Sequence, residues 1–126
     1  FDLSASRNSY INRFSGGMKR RVNLIAGLLH APKILILDEP TVGVDAQSRR
    51  LILEKLVEIN RSGTTVLFIS HYLEEAEQIC TEVAFMDNGA IICQGHPSDL
   101  RNIYTSCDSM ESMYLLLTGK RMRDNQ

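Results

Sequence analysis

The sequence predicts an α/β fold: a parallel sheet flanked by helices, followed by a β-hairpin towards the C-terminus. Three observations carry the prediction. Ile34-Leu35-Ile36-Leu37 is a run of four large apolar residues, too short for a helix and closed by Pro40. Such a run reads as a central strand buried on both faces of a parallel sheet. A helix-periodic stretch over about 46–62 then leads to a second apolar run, Thr64-Thr65-Val66-Leu67-Phe68-Ile69-Ser70, which makes a right-handed βαβ unit with a parallel strand pair. Asn88-Gly89, set between the apolar runs 83–87 and 90–94, is the strongest short hairpin signal.

The remaining elements follow in chain order. Residues 1–13 are polar and aperiodic and read as a connector. Ser15-Gly16-Gly17 then opens a helix whose Met18, Val22, Ile25 and Leu29 recur at helical spacing as one apolar stripe. Lys19, Arg20 and Arg21 crowd its first turn, where positive charge opposes the helix dipole. That placement makes sense if something negative arrives there. Ala31-Pro32-Lys33 breaks the helix ahead of the first strand. Beyond that strand, Asp45 is placed to cap the second helix, with Ile52, Leu56 and Ile59 as its apolar face, Glu54 and Glu58 outside, and Gly63 at its end. A short acidic helix over 72–79 precedes the hairpin, and Pro97 and Ser98 start another short helix. Asp108 with Glu111 has the spacing of a capping box for a last helix, in which Met113, Leu116 and Leu117 need a surface to cover and which Gly119 ends. Lys120, Arg121 and Arg123 form a solvated tail.

Composition excludes several classes. At 126 residues, 44% hydrophobic and 23% charged, the chain can bury one core. A net charge of −1 and a pI near 6.3 give no basic field for nucleic acid or an acidic membrane. Three cysteines without C-x-x-C spacing argue against a disulfide framework or a zinc site and for a reducing, cytosolic compartment. No apolar run approaches the ~20 residues of a membrane span, so membrane contact is expected through a partner. An opening on Phe1 rather than Met points to a piece of a longer chain.

The chemistry concentrates at strand ends. In open parallel sheets ligands sit at the carboxyl ends of strands, where Asp38 and Glu39 follow the first strand and His71 follows the second. Successive strand residues point to opposite sides, so the two acids are suited to two jobs, one towards a metal and one towards a water.

Taken together, Phe14-Ser15-Gly16-Gly17-Met18, Ile34-Leu35-Ile36-Leu37-Asp38-Glu39-Pro40, Val42-Gly43-Val44-Asp45 and His71 resemble the ATP-binding cassette (ABC) family in its nucleotide-binding domain. The resemblance runs over 10–99 and, more loosely, to Leu115-Leu116-Leu117-Thr118-Gly119. That ending and Met18-Lys19-Arg20-Arg21 are similar to the bacterial branch that drives drug and multi-substrate export. It implies a P-loop NTPase, RecA-like sheet and a role for each residue. Asp38, ending the Walker B strand, would hold Mg²⁺ through water; Glu39 would be the general base or water-positioning residue for attack on the γ-phosphate of ATP; His71 would be the switch histidine. Ser15, Gly16 and Gly17 would meet ATP held by a second nucleotide-binding domain in a head-to-tail dimer, and Asp45 would cross that interface.

Val42-Gly43-Val44-Asp45 departs from the commonest interface loop but keeps its acid. No G-x-x-x-x-G-K-[ST] occurs in the sequence, so the Walker A loop, the glutamine loop and the adenine-stacking aromatic are not in it. The chain thus resembles the C-terminal portion of one ATPase domain, with 1–33 as the signature segment of its helical subdomain and 34–126 as part of its catalytic core. The expected function is the ATP-binding and ATP-hydrolysing subunit of an ABC-type membrane exporter, at the inner face of the cell membrane. Its expected partners are a membrane-spanning subunit, a second such domain and the N-terminal half of its own domain, with no nucleic acid. Alone, the chain is expected to bind ATP weakly or not at all and to be inactive, and its unpaired strand edge to leave it poorly stable, self-associating or with rearranged sheet pairing. The alternative is a truncated remnant that only lends its signature to a partner's ATP. A DNA-repair or chromosome ATPase of the family fits less well, because heptads and a basic face are absent.

Overall fold

The computed structural model describes residues 3–4 and 8–119. The predicted connector lies partly, and the predicted basic tail of Lys120, Arg121 and Arg123 wholly, outside the described residues. The chain divides into two compact units, one up to Ile69 and one from Ser70.

The first unit is a βαβ arrangement with a helix ahead of it. A 3₁₀ turn at Ile11–Arg13 leads into α1, Gly16–Leu28; then come β1, Ile34–Asp38, α2, Ala46–Arg61, and β2, Thr65–Ile69. β1 and β2 pair in parallel, with Ile34 opposite Thr65 and Asp38 opposite Ile69. α2 forms as its sequence requires. Asp45 caps it, and Ile52, Leu53 and Leu56 are buried on one side, while Glu54 and Glu58 stay exposed. Full burial of each such side chain contributes about 1.5–3 kcal/mol.

Two expectations for this unit are corrected. The strands are not buried on both faces: Leu35 is buried, but Ile34 and Ile36 are 62% and 64% exposed, and Leu67 and Ile69 on β2 are 52% and 46% exposed. Ile36 and Leu67 are register partners, so these side chains share one side of the pair. No described element of the unit covers that side. The buried stripe of α1 is also rotated from the expected one. Gly17 and Leu24 are buried, Met18, Val22 and Ile25 are only partly so, and Leu29 is 81% exposed. The reason is close packing along a glycine-bearing face, since a Cβ on Gly27 would lie 3.6 Å from Leu35 Cδ1 and one on Gly17 would run into Ser48.

The second unit packs three helices with a hairpin: α3, Leu73–Ile79, β3, Val83–Asp87, β4, Ala90–Gly95, α4, Pro97–Ile103, and α5, Met110–Thr118. Val83, Phe85, Leu100, Met110 and Met113 form its core, and the Phe85 and Tyr114 rings meet edge to face at 5.8 Å. β3 and β4 are antiparallel, with a register shift at Phe85/Met86 that leaves Ile92 unpaired. The α5 cap is not Asp108 with Glu111. Ser109 accepts from the Ser112 amide and Ser112 Oγ accepts from the Ser109 amide, a reciprocal capping box one residue later. Leu116, expected with Met113 and Leu117 to cover a surface, is 59% exposed, while Met110 and Met113 carry the packing.

Asn88 and Gly89 both have positive φ, 48° and 79°, the signature of a two-residue type I′ turn whose twist matches its strands. Gly89→Ala should therefore lower stability by about 1–2 kcal/mol, since an L residue meets its own carbonyl there. Urea unfolding followed by circular dichroism checks this; an unchanged midpoint would contradict it.

Candidate functional site

The site is built from three loops of the first unit. At the start of α1, Ser15 stands as N-cap and its Oγ accepts from the Met18 amide at 3.2 Å. Gly16 follows, and a Cβ there would lie 3.6 Å from the Gly43 carbonyl oxygen. A Cβ on Gly17 would stand 2.7 Å from Ser48 Oγ, 2.9 Å from Ser48 Cβ and 3.1 Å from Asp45 Oδ2. The glycines read as places for a phosphate to approach are thus also where helix α1 meets the loop and first turn of α2.

At the end of β1, Asp38 is exposed and Glu39 half-buried. The Glu39 amide donates to the Ile69 carbonyl at 2.9 Å, which extends the ladder one residue past the end of β1. Its φ is +48°, a left-handed conformation uncommon for a glutamate and more so ahead of a proline. Its carbonyl accepts from Arg20 Nη2 at 3.0 Å and from the Val42 amide at 3.3 Å. Pro40 and Thr41 are buried, and the Val44 amide donates to the Thr41 carbonyl at 3.3 Å. The two acids therefore leave the strand on a turn held at both ends.

Asp45 accepts from the Ser48 amide at 2.9 Å and is exposed. Bonds from the Ser48 amide and hydroxyl hold its carboxyl below its ordinary pKa of 3.8, with the Arg21 charge as a smaller contribution. A group whose pKa is lower folded than unfolded stabilises the fold above its unfolded value and loses that contribution as pH falls through the folded one. Stability should therefore drop more steeply below pH 3.8 in the wild type than in Asp45→Asn, whose side chain caps without titrating. Parallel acid melts of the two proteins check this, and identical slopes would contradict it.

His71 lies in the second unit, where its ring sits 4.2 Å from that of Tyr72, and the Tyr72 amide donates to Ser70 Oγ at 3.0 Å. Within the first unit, Gly16 and Gly17 come together with Gly43, Asp45 and Ser48, and Arg20 ties the same helix to Glu39. Sequence reasoning missed two participants. Ser48 was legible as the third residue after a capping aspartate. Arg20 was noticed only as an ill-placed charge; its target is a backbone carbonyl.

Comparison with known proteins gives this arrangement a context. Residues 1–42 match the family model described as "ABC transporter". The chain is 51% identical over 98 residues to the linearmycin resistance ATP-binding protein LnrL of Bacillus subtilis, covering 78% of this chain and 32% of that protein. It is 40% identical over 109 residues to the Nod factor export ATP-binding protein I of Ralstonia nicotianae, covering 86% and 34% respectively. A solved structure of an ATP-binding subunit of an ABC transporter superposes with a TM-score of 0.74 at 30% identity, over 85% of this chain and 45% of that one. The chain spans about a third of the length of these curated relatives. By sequence and by fold, the chain is thus similar to ATP-binding subunits of ABC transporters. The likeness is to part of an ATP-binding domain of the ABC transporter family.

Proposed function

We propose that the chain is the C-terminal part of the ATP-hydrolysing subunit of a bacterial exporter, working at the cytoplasmic face of the membrane beside a membrane-spanning partner. The observation that carries this reading is the joining of the glycine-led helix to both the acid-bearing turn and the Asp45 loop in one unit. In this reading Glu39 accepts the proton of the water that attacks the γ-phosphate. Its half-buried side chain leaves a turn held by three bonds to the Glu39 main chain, two with backbone groups and one with Arg20, so little reorganisation is needed. Ser15, Gly16 and Gly17 present a hydroxyl and a helix N-terminus to a phosphate held by a second domain, and Asp45 faces that domain beside them. His71 contributes a ring N–H to the γ-phosphate.

Asp38 is the residue to hold Mg²⁺, which when bound neutralises phosphate charge. The donor chemistry fits: Asp38 is an exposed carboxylate at the end of β1, and Mg²⁺ characteristically takes one or two carboxylates with waters and phosphate oxygens. Among the described residues no helix is long and apolar enough to cross a membrane, and this reading assigns the crossing to the membrane-spanning partner. Phosphate release from Mg-ATP by the full subunit tests the proposal, and release no faster than from buffer would overturn it.

A further inference from the structure

The joining of helix α1 to the acid-bearing turn runs through a side chain, Arg20, whose Nη2 donates to the Glu39 carbonyl. We propose that Arg20 is a positioning residue for hydrolysis, holding Glu39 in its left-handed backbone conformation through the bond from Nη2 to the Glu39 carbonyl. The inference rests on the reading of Glu39 as the base.

The argument is conformational. A non-glycine residue at φ +48° carries a local energy cost, and a following proline adds a preference for extended backbone. Such a conformation persists only when surrounding groups over-determine it. Here the amide is tied to Ile69 at 2.9 Å, and the carbonyl receives two donors, the Val42 amide at 3.3 Å and the shorter bond from Arg20 at 3.0 Å. A bond donated by a guanidinium is charge-assisted and stronger than a neutral one. Without it, the peptide between Glu39 and Pro40 is free to turn towards extended geometry, and the carboxylate would swing with it. The same bond couples the two motifs. A shift of α1 moves Arg20, and Arg20 moves the base.

The test compares Arg20→Met, which keeps the aliphatic stem without a donor, with Arg20→Lys, which keeps a charged donor one atom shorter. Both are made in the full ATP-binding subunit and assayed for phosphate release from Mg-ATP. Misplacement of a reacting group by about 1 Å can cost on the order of 10²-fold, so Arg20→Met should lose about that much kcat with KM for ATP nearly unchanged. Arg20→Lys should recover most of the loss. Arg20→Met combined with Glu39→Gln should be no slower than Glu39→Gln alone, because Arg20 acts through Glu39. Wild-type kcat in Arg20→Met, equal losses in the methionine and lysine variants, or a further drop in the double variant would overturn the proposal. If Arg20→Met does not fold, Arg20→Lys against Arg20→Gln decides, both being donors: the shorter glutamine should lose kcat where lysine keeps it, and equal rates would overturn it. Glu39→Gln alone separates the two readings, since full activity there removes Glu39 as base whatever Arg20 does.

Discussion

Glu39→Gln in the full ATP-binding subunit should slow phosphate release from Mg-ATP by about 10²–10⁴-fold while leaving nucleotide binding in place. Glutamine matches glutamate in size and still bonds to water through its carbonyl oxygen, but it cannot take a proton at working pH. The backbone that fixes this position is untouched, because the bonds to Ile69, Val42 and Arg20 all use main-chain atoms of Glu39. The loss should therefore appear in kcat and not in stability, which a thermal melt run beside the phosphate assay will separate. A variant that hydrolyses ATP at the wild-type rate would remove Glu39 from the chemistry. One that loses binding would make it a ligand rather than a base.

Gly17→Ala should destabilise the first unit by about 1–3 kcal/mol, the usual cost of forcing atoms into a filled space. The new methyl would stand 2.7 Å from Ser48 Oγ and 2.9 Å from Ser48 Cβ. Rotation of the serine hydroxyl relieves the first contact but not the second, and Ser48 is itself buried. Helix α1 must then back away from α2, taking Ser15 and Gly16 from the Gly43 carbonyl and Arg20 from Glu39. Thermal unfolding of the single variants and of Gly17→Ala with Ser48→Gly measures the effect. The double variant should recover part of the loss, because residues in contact do not add. Strictly additive losses would show that the close approach is not what makes Gly17 necessary.

Much of the fold is legible in the residues because its signals are local. Asp45 three residues before Ser48 specifies a helix start, Asn88-Gly89 specifies a two-residue turn, and four aliphatics closed by Pro40 specify a strand. Each is decided by bonds within a few positions. The capping box of α5 was less legible, because Asp108 with Glu111 and Ser109 with Ser112 offer the same spacing one residue apart. The helix starts where its two methionines reach the core.

By itself, the sequence determined the order and type of the elements, the parallel pairing through α2, the hairpin, and the acids at the end of β1. These follow from periodicity and turn chemistry, which need no distant neighbour. Only the tertiary structure decided which faces are covered: Gly17, Leu24 and Gly27 line the packed side of α1, and Ile34, Ile36, Leu67 and Ile69 lie open on one side of the strand pair. Only it gave Arg20 a partner nineteen residues away. Burial and long-range bonds depend on what another segment brings into contact, and an apolar or charged side chain does not encode its neighbour in its own position.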